Sequence, residues 1–202
     1  MKRLDRRHFL IAGAALAAGA LPAAASQNRR RHFNFTSALS GGSSARSTYG
    51  GKRIVPYRTK EKPGTIIIVT RERALYYVLP GGKAIRYGVG VGRRGFTWSG
   101  TATIRRKRKW PEWRPPAEMI ERELKQYGRR LPDVMAGGPK NPLGARALYL
   151  FQGNRDTLYR IHGTNAPQTI GRAVSSGCIR MLNEEIIDLY ERVKIGTRVK
   201  VI

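Results

Sequence analysis

The chain has 202 residues, 39 Lys and Arg against 13 Asp and Glu for a formal net charge of +26, 41% hydrophobic residues and one cysteine. That length holds one domain with tails and a real core and excludes a multidomain machine. The single Cys excludes an internal disulfide, and a Cys/His pool of Cys178, His8, His32 and His162 excludes a zinc finger with its tetrahedral ligand set. The basic excess suits nucleic acid, an acidic membrane surface or any other polyanion.

Taken in chain order, Met1 to Ala25 has a charged start (Lys2, Arg3, Arg6, Arg7), an apolar stretch from Phe9 to Leu21 and small residues at Ala23, Ala24 and Ala25, the plan of a secretory signal. The apolar stretch is shorter than the roughly 20 residues that span a bilayer. Cleavage near Ala25 is therefore expected, leaving no stable membrane span. The run from Asp5 to Ile11 resembles a twin-arginine export signal, with an ordinary Sec signal as the alternative. The expected location is the periplasm or cell envelope of a bacterium. Losing residues 1–25, with four basic and one acidic group, leaves +23 on the exported chain. Export disfavours a nucleic-acid partner and favours anionic cell-envelope polymers.

Residues 26–63 are rich in Gly, Ser and Arg, carry nine basic residues and one acidic one, and lack a sustained apolar period, which predicts a flexible basic leader. From Thr65 the pattern turns to β-branched and aromatic runs. Strands are predicted at Ile66–Val69, Ala74–Leu79 and 84–91, punctuated by Pro80-Gly81-Gly82 as in an antiparallel meander, and again at 101–105. The five cations Arg105 to Lys109 are expected in a solvated loop or strand end. Pro115 and Pro116 open a helix with Met119, Ile120 and Leu124 at helical spacing, closed by Gly128. Strands follow at 146–151 and 157–162. Asn183 is expected to cap a last helix whose Ile186, Ile187, Leu189, Tyr190 and Val193 face the core, and 197–202 closes as a strand. The fold class is mainly β with a few helices (α+β), in one domain over residues 64–202.

Chemistry concentrates between Tyr159 and Met181. A lone Cys in an exported chain is either buried as a small hydrophobe or used. Ser175-Ser176-Gly177 before Cys178 suits a tight turn whose amides could converge on an oxyanion. Arg180 follows two residues on, where a cation lowers a thiol pKa or clamps a carboxylate. It could equally pair with Glu184 or Glu185. His162 stands at the end of a predicted strand, as a Cys/His pair would require. These features alone leave a nucleophilic pair and a chance coincidence both open.

His162-Gly163-Thr164 followed by Ser175-Ser176-Gly177-Cys178-Ile179-Arg180-Met181 resembles the signature of the L,D-transpeptidase (YkuD-type) catalytic domain. The resemblance spans residues 64–202, including Asn141-Pro142-Leu143-Gly144 and the closing Gly196-Thr197-Arg198-Val199. One departure is Ser176, where many members have His, which puts any auxiliary role of that His in doubt. The resemblance implies a β-sandwich-like fold and a cysteine-dependent acyl transfer on peptidoglycan stem peptides. Cys178 would be the nucleophile and His162 the general base and acid, with the Gly163 carbonyl orienting it. Backbone amides of Gly177 and Cys178 would hold the oxyanion, and Arg180 a substrate carboxylate. No metal or organic cofactor is implied.

The implied acceptor is an amine, giving a crosslink or attachment to an envelope protein, or water, giving L,D-carboxypeptidase activity. The sequence does not choose among another stem peptide, a lipoprotein lysine, an outer-membrane protein, a D-amino acid and water. The rival function is a non-catalytic cationic protein that binds the envelope or peptidoglycan by charge. A nucleic-acid binder has only the charge in its favour.

Overall fold

In this computed structural model the described residues are 51–202; the expected signal, and the leader up to residue 50, lie outside them. Strands β1 (Arg53–Pro56), β2 (Ile66–Val69), β3 (Ala74–Leu79) and β4 (Lys83–Gly88) come first, then β5 (Val91–Gly92) and β6 (Gly100–Lys109). Helix α1 (Ala117–Tyr127) precedes β7 (Arg146–Gln152), β8 (Arg155–His162), β9 (Ala173–Ser175) and β10 (Ile179–Arg180), and α2 (Asn183–Arg192) leads to β11 (Arg198–Val201). The result is mostly β with two helices, the α+β class expected.

Nine strands form one hydrogen-bonded sheet in the order β1-β4-β3-β2-β11-β6-β7-β8-β10, while β5 and β9 pair separately. The meander β2-β3-β4 is antiparallel, whereas β11 joins β2 in parallel and β10 joins β8 in parallel. Two residues past β4, Gly90 exchanges backbone hydrogen bonds of 2.9 Å with Arg180 of β10. The sheet therefore curls until the chain leaving β4 meets its last strand.

Inside the curl lies a single apolar cluster. Alternate residues of β2, β3, β4, β6, β7, β8 and β11 supply Ile66, Leu75, Tyr87, Ile104, Leu148, Ile161 and Val199, and α2 closes it with Ile186 and Leu189. Burying side chains of this size stabilises by about 1.5–3 kcal/mol each. Ile187 of α2, expected in the core, is 37% exposed, because it follows Ile186 and points about 100° away around the helix.

The outward face of β2, β3 and β4 carries a second cluster including Ile67, Val69 and Tyr76, against which Val55 and Tyr57 pack. Tyr57 stacks on Tyr76 with centroids 4.3 Å apart. The end of the expected leader thus belongs to the fold: β1 pairs with β4 because Ile54 and Val55 continue the ladder and Val55 finds apolar cover.

Of the two places expected for the Arg105–Lys109 run, a solvated loop or a strand end, the structure has the second. The run completes β6, paired with β7 across a bulge between Ile104 and Arg106. Lys107 is half-buried, and its ammonium donates to the Tyr190 and Val193 carbonyls at 2.5 and 2.6 Å, capping the carboxyl end of α2. Among the described residues, no helix is long and apolar enough to cross a membrane.

Candidate active site

Register brings the motifs together. His162 ends β8 between two neighbours, opposite Ala147 of β7 and Arg180 of β10. Ile161 and Ile179 are paired and buried in the core, so the alternation of β structure turns His162 and Arg180 to the other face. Cys178 immediately precedes β10, and the Arg180 charge acts on both its thiol and the His162 ring. His162 and Arg180 therefore sit side by side on one face at the end of the sheet, with Cys178 at the entry to β10.

Cys178 lies at the end of a tight turn held by Ser175. The Ser175 hydroxyl donates to the Cys178 carbonyl at 2.6 Å and accepts the Gly177 amide at 3.1 Å. Gly177 has φ of +109°, and a Cβ there would come within 2.4 Å of the Tyr159 ring, so only glycine fits. Tyr159 in turn stacks on Trp98 at 5.1 Å. The Gly177 amide, expected as an oxyanion donor, is thus already given to Ser175. Cys178 is half-buried, and its Sγ lies 3.9 Å from the Leu158 carbonyl. Leu158 adopts φ of +62°, a left-handed conformation costly for a branched side chain, and its own side chain is exposed.

His162 is buried, and its Nδ1 lies 2.6 Å from the Gly163 carbonyl oxygen. A carbonyl can only accept, so Nδ1 carries the proton and Nε2 keeps its lone pair. Burial, then the Arg180 charge, lowers the His162 pKa to about 4, against the pull of the Gly163 carbonyl. Burial pushes the Cys178 thiol up, opposed by a backbone hydrogen bond from Arg160 and by the charges of Arg160 and Arg180. Both groups are therefore neutral at pH 7. Arg160 is itself held by a two-pronged pair with Asp156 at 2.7 and 2.9 Å and lies over the Tyr149 ring.

Asn183 was expected as a helix cap, but Leu182 holds that position and Asn183 is the first residue of α2. Its Oδ1 instead accepts from the Ala145 and Thr164 amides at 3.0 and 3.2 Å, tying the start of β7 to the turn after His162. A Cβ on Gly163 would lie 2.2 Å from that oxygen, so the glycine makes the clamp possible. The motif Asn followed by two Glu resembles a helix start, and nothing local signals the longer reach. Arg180 makes no ion pair with Glu184 or Glu185 among the described residues. Among those residues, no group of three or more His, Cys, Asp or Glu could hold a metal ion.

The L,D-transpeptidase catalytic domain (YkuD) matches residues 63–201. The chain is 42% identical over 142 residues to the probable L,D-transpeptidase YbiS and 37% identical over 142 residues to the probable L,D-transpeptidase ErfK/SrfK, both of Escherichia coli K12. Each alignment covers 68% of this chain but only 44% and 43% of those relatives, so the chain spans less than half their length. Among solved structures, a Brucella melitensis protein described as a probable carnitine operon oxidoreductase caia is 53% identical, with 72% of this chain and 89% of that one covered and a TM-score of 0.50. An L,D-transpeptidase from Mycobacterium smegmatis shares the fold at 18% identity, over 68% of this chain and 58% of its own, with a TM-score of 0.51.

Proposed function

The chain belongs to the L,D-transpeptidase catalytic-domain family, and on that premise we propose that it is an exported cysteine acyltransferase acting on peptidoglycan stem peptides in the bacterial periplasm. Cys178 attacks the carbonyl between the L-centre of meso-diaminopimelate and the terminal D-Ala. The thiol proton passes to His162 Nε2 as the S–C bond forms, and then to the departing amine as the C–N bond breaks. An acceptor amine or water next attacks the thioester, and the thiol is regenerated. The observation that carries this reading is the buried His162, its Nδ1 proton fixed on the Gly163 carbonyl at 2.6 Å, in register with Arg180, whose charge also acts on the Cys178 thiol.

Because Gly177 donates to Ser175, the Cys178 amide is assigned as the oxyanion donor of this turn. Arg180 holds a substrate carboxylate. Arg180 is also the second cause of the weak basicity of His162, so a carboxylate seated on it makes the imidazole a better base only when substrate is present.

The test is release of D-Ala from a stem tetrapeptide, with a second stem peptide offered as acceptor. Release with a crosslinked product is expected, or release with the bare tripeptide if water is the acceptor, and Cys178→Ala should stop both. No release with any acceptor would sink the proposal. The pH profile adds a second check. With His162 lowered to about 4, the imidazole becomes able to take a proton as pH rises through that value, so the acid limb of kcat/KM should fall near pH 4. A limb near the ordinary histidine value would contradict this protonation scheme.

A further inference from the structure

Helix α1 buries none of its residues, yet one side of it is not simply solvated. Met119, Arg122, Glu123, Gln126 and Tyr127, at the spacing of a single helix face, form a cleft of about 460 Å³ with Arg93, Val174, Ser176 and Arg180. Ser176 and Arg180 are the residues two before and two after Cys178, so the cleft adjoins the turn that bears the thiol.

The charges in this cleft do not balance. Glu123, its only carboxylate, is paired with Arg129 outside it. Arg93 lies over the Phe96 ring at 4.2 Å. Among the described residues, none of Arg93, Arg122 and Arg180 has a carboxylate partner. All three are half-buried. Three guanidinium groups facing one concavity repel one another unless an anion joins them, and guanidinium matches carboxylate in a two-pronged geometry. Met119, Tyr127 and Val174 supply apolar wall between the cations, and the volume suits a short peptide segment.

We infer that the cleft between α1 and the Cys178 turn binds a segment of the acyl donor that carries at least two carboxylates, with Arg122 and Arg93 selecting for the anion beyond Arg180. This inference rests on the acyl-transfer reading for its ligand, a peptide whose chain runs from the cleft to the thiol.

The experiment separates the two. Binding is measured on the full chain with Cys178→Ala, by titration calorimetry, using a stem tetrapeptide with free carboxylates and the same peptide with its carboxylates amidated. The free peptide should bind about tenfold more tightly, and less so as salt rises. Adding Arg122→Gln or Arg93→Gln should weaken the free peptide about five- to tenfold and leave the amidated one unchanged. Arg108→Gln, an exposed arginine on β6 outside the cleft, should change neither. Equal binding of the two peptides, no measurable binding of either, or the same loss from Arg108→Gln as from Arg122→Gln would overturn the inference. Thermal melts confirm that each variant is folded, which the exposed position of α1 favours. Since no turnover is required, a failed selection for carboxylates leaves D-Ala release to be judged separately, and absent D-Ala release leaves the binding result standing.

Discussion

The two helices are nearly the same length, eleven residues in α1 and ten in α2, but they meet the sheet differently. α2 drives Ile186 and Leu189 into the main core, accepts the Lys107 ammonium at its carboxyl end and sends Asn183 back to the His162 turn. α1 buries no residue and leaves Leu124 52% exposed and Tyr127 69% exposed. One helix is there because the core and the site need it. The other adds no buried residue to the core, and one of its faces lines the cationic cleft beside Cys178.

The sharpest way to break this contrast is a pair of truncations. Leu189→Ala should cost about 2–5 kcal/mol by chemical denaturation, whereas Leu124→Ala should stay within about 0.5 kcal/mol of the parent. Equal losses would mean that α1 is part of the core. A smaller effect separates the first residue of α2 from the rest of the helix. Asn183→Ala leaves the Ala145 and Thr164 amides without their acceptor and should cost about 1–3 kcal/mol. It should also lower kcat more than it raises KM, because the His162–Gly163 turn loses its anchor. An unchanged kcat with the same loss of stability would reduce Asn183 to a purely structural role.

The smallest effect concerns Glu185, buried in α2 with Oε2 lacking a hydrogen-bond partner and its pKa pushed up to about 7, mainly by burial. Between its unfolded value and about 7 the folded chain holds a proton that the unfolded chain has released. Stability therefore falls as pH rises through that window. Glu185→Gln should raise the midpoint at pH 8 by an amount worth about 1–2 kcal/mol and make little difference at pH 4. A gain of equal size at both pH values would show that the carboxyl is not titrating there.

The same contrast explains what the sequence disclosed. Strands β2, β3, β7 and β8 were legible because β-branched and aromatic residues run between Gly and Pro breaks, and α1 because Pro116 and Gly128 bracket it. Cys178, His162, Gly163 and Arg180 stood out by residue type and motif. That His162 and Arg180 sit side by side was not legible, since it depends on the parallel register of the two-residue strand β10 with β8. β1 was hidden by its basic surroundings, and the length of β6 by five consecutive cations that lie beyond its pairing with β11, where it pairs with β7 alone. Asn183 looked like a cap because its true partners are 38 and 19 residues upstream. Arg93 and Arg122 had no local signal, because only the fold brings α1 and the chain after β5 to the Cys178 turn.

The central claim is that Cys178 carries the acyl group, and intact-protein mass spectrometry after exposure to a carbapenem tests it most directly. The account predicts one covalent adduct on the parent chain, none on Cys178→Ala, and retention of the adduct in Leu124→Ala. An undiminished adduct on Cys178→Ala, or none on the folded parent, would contradict it.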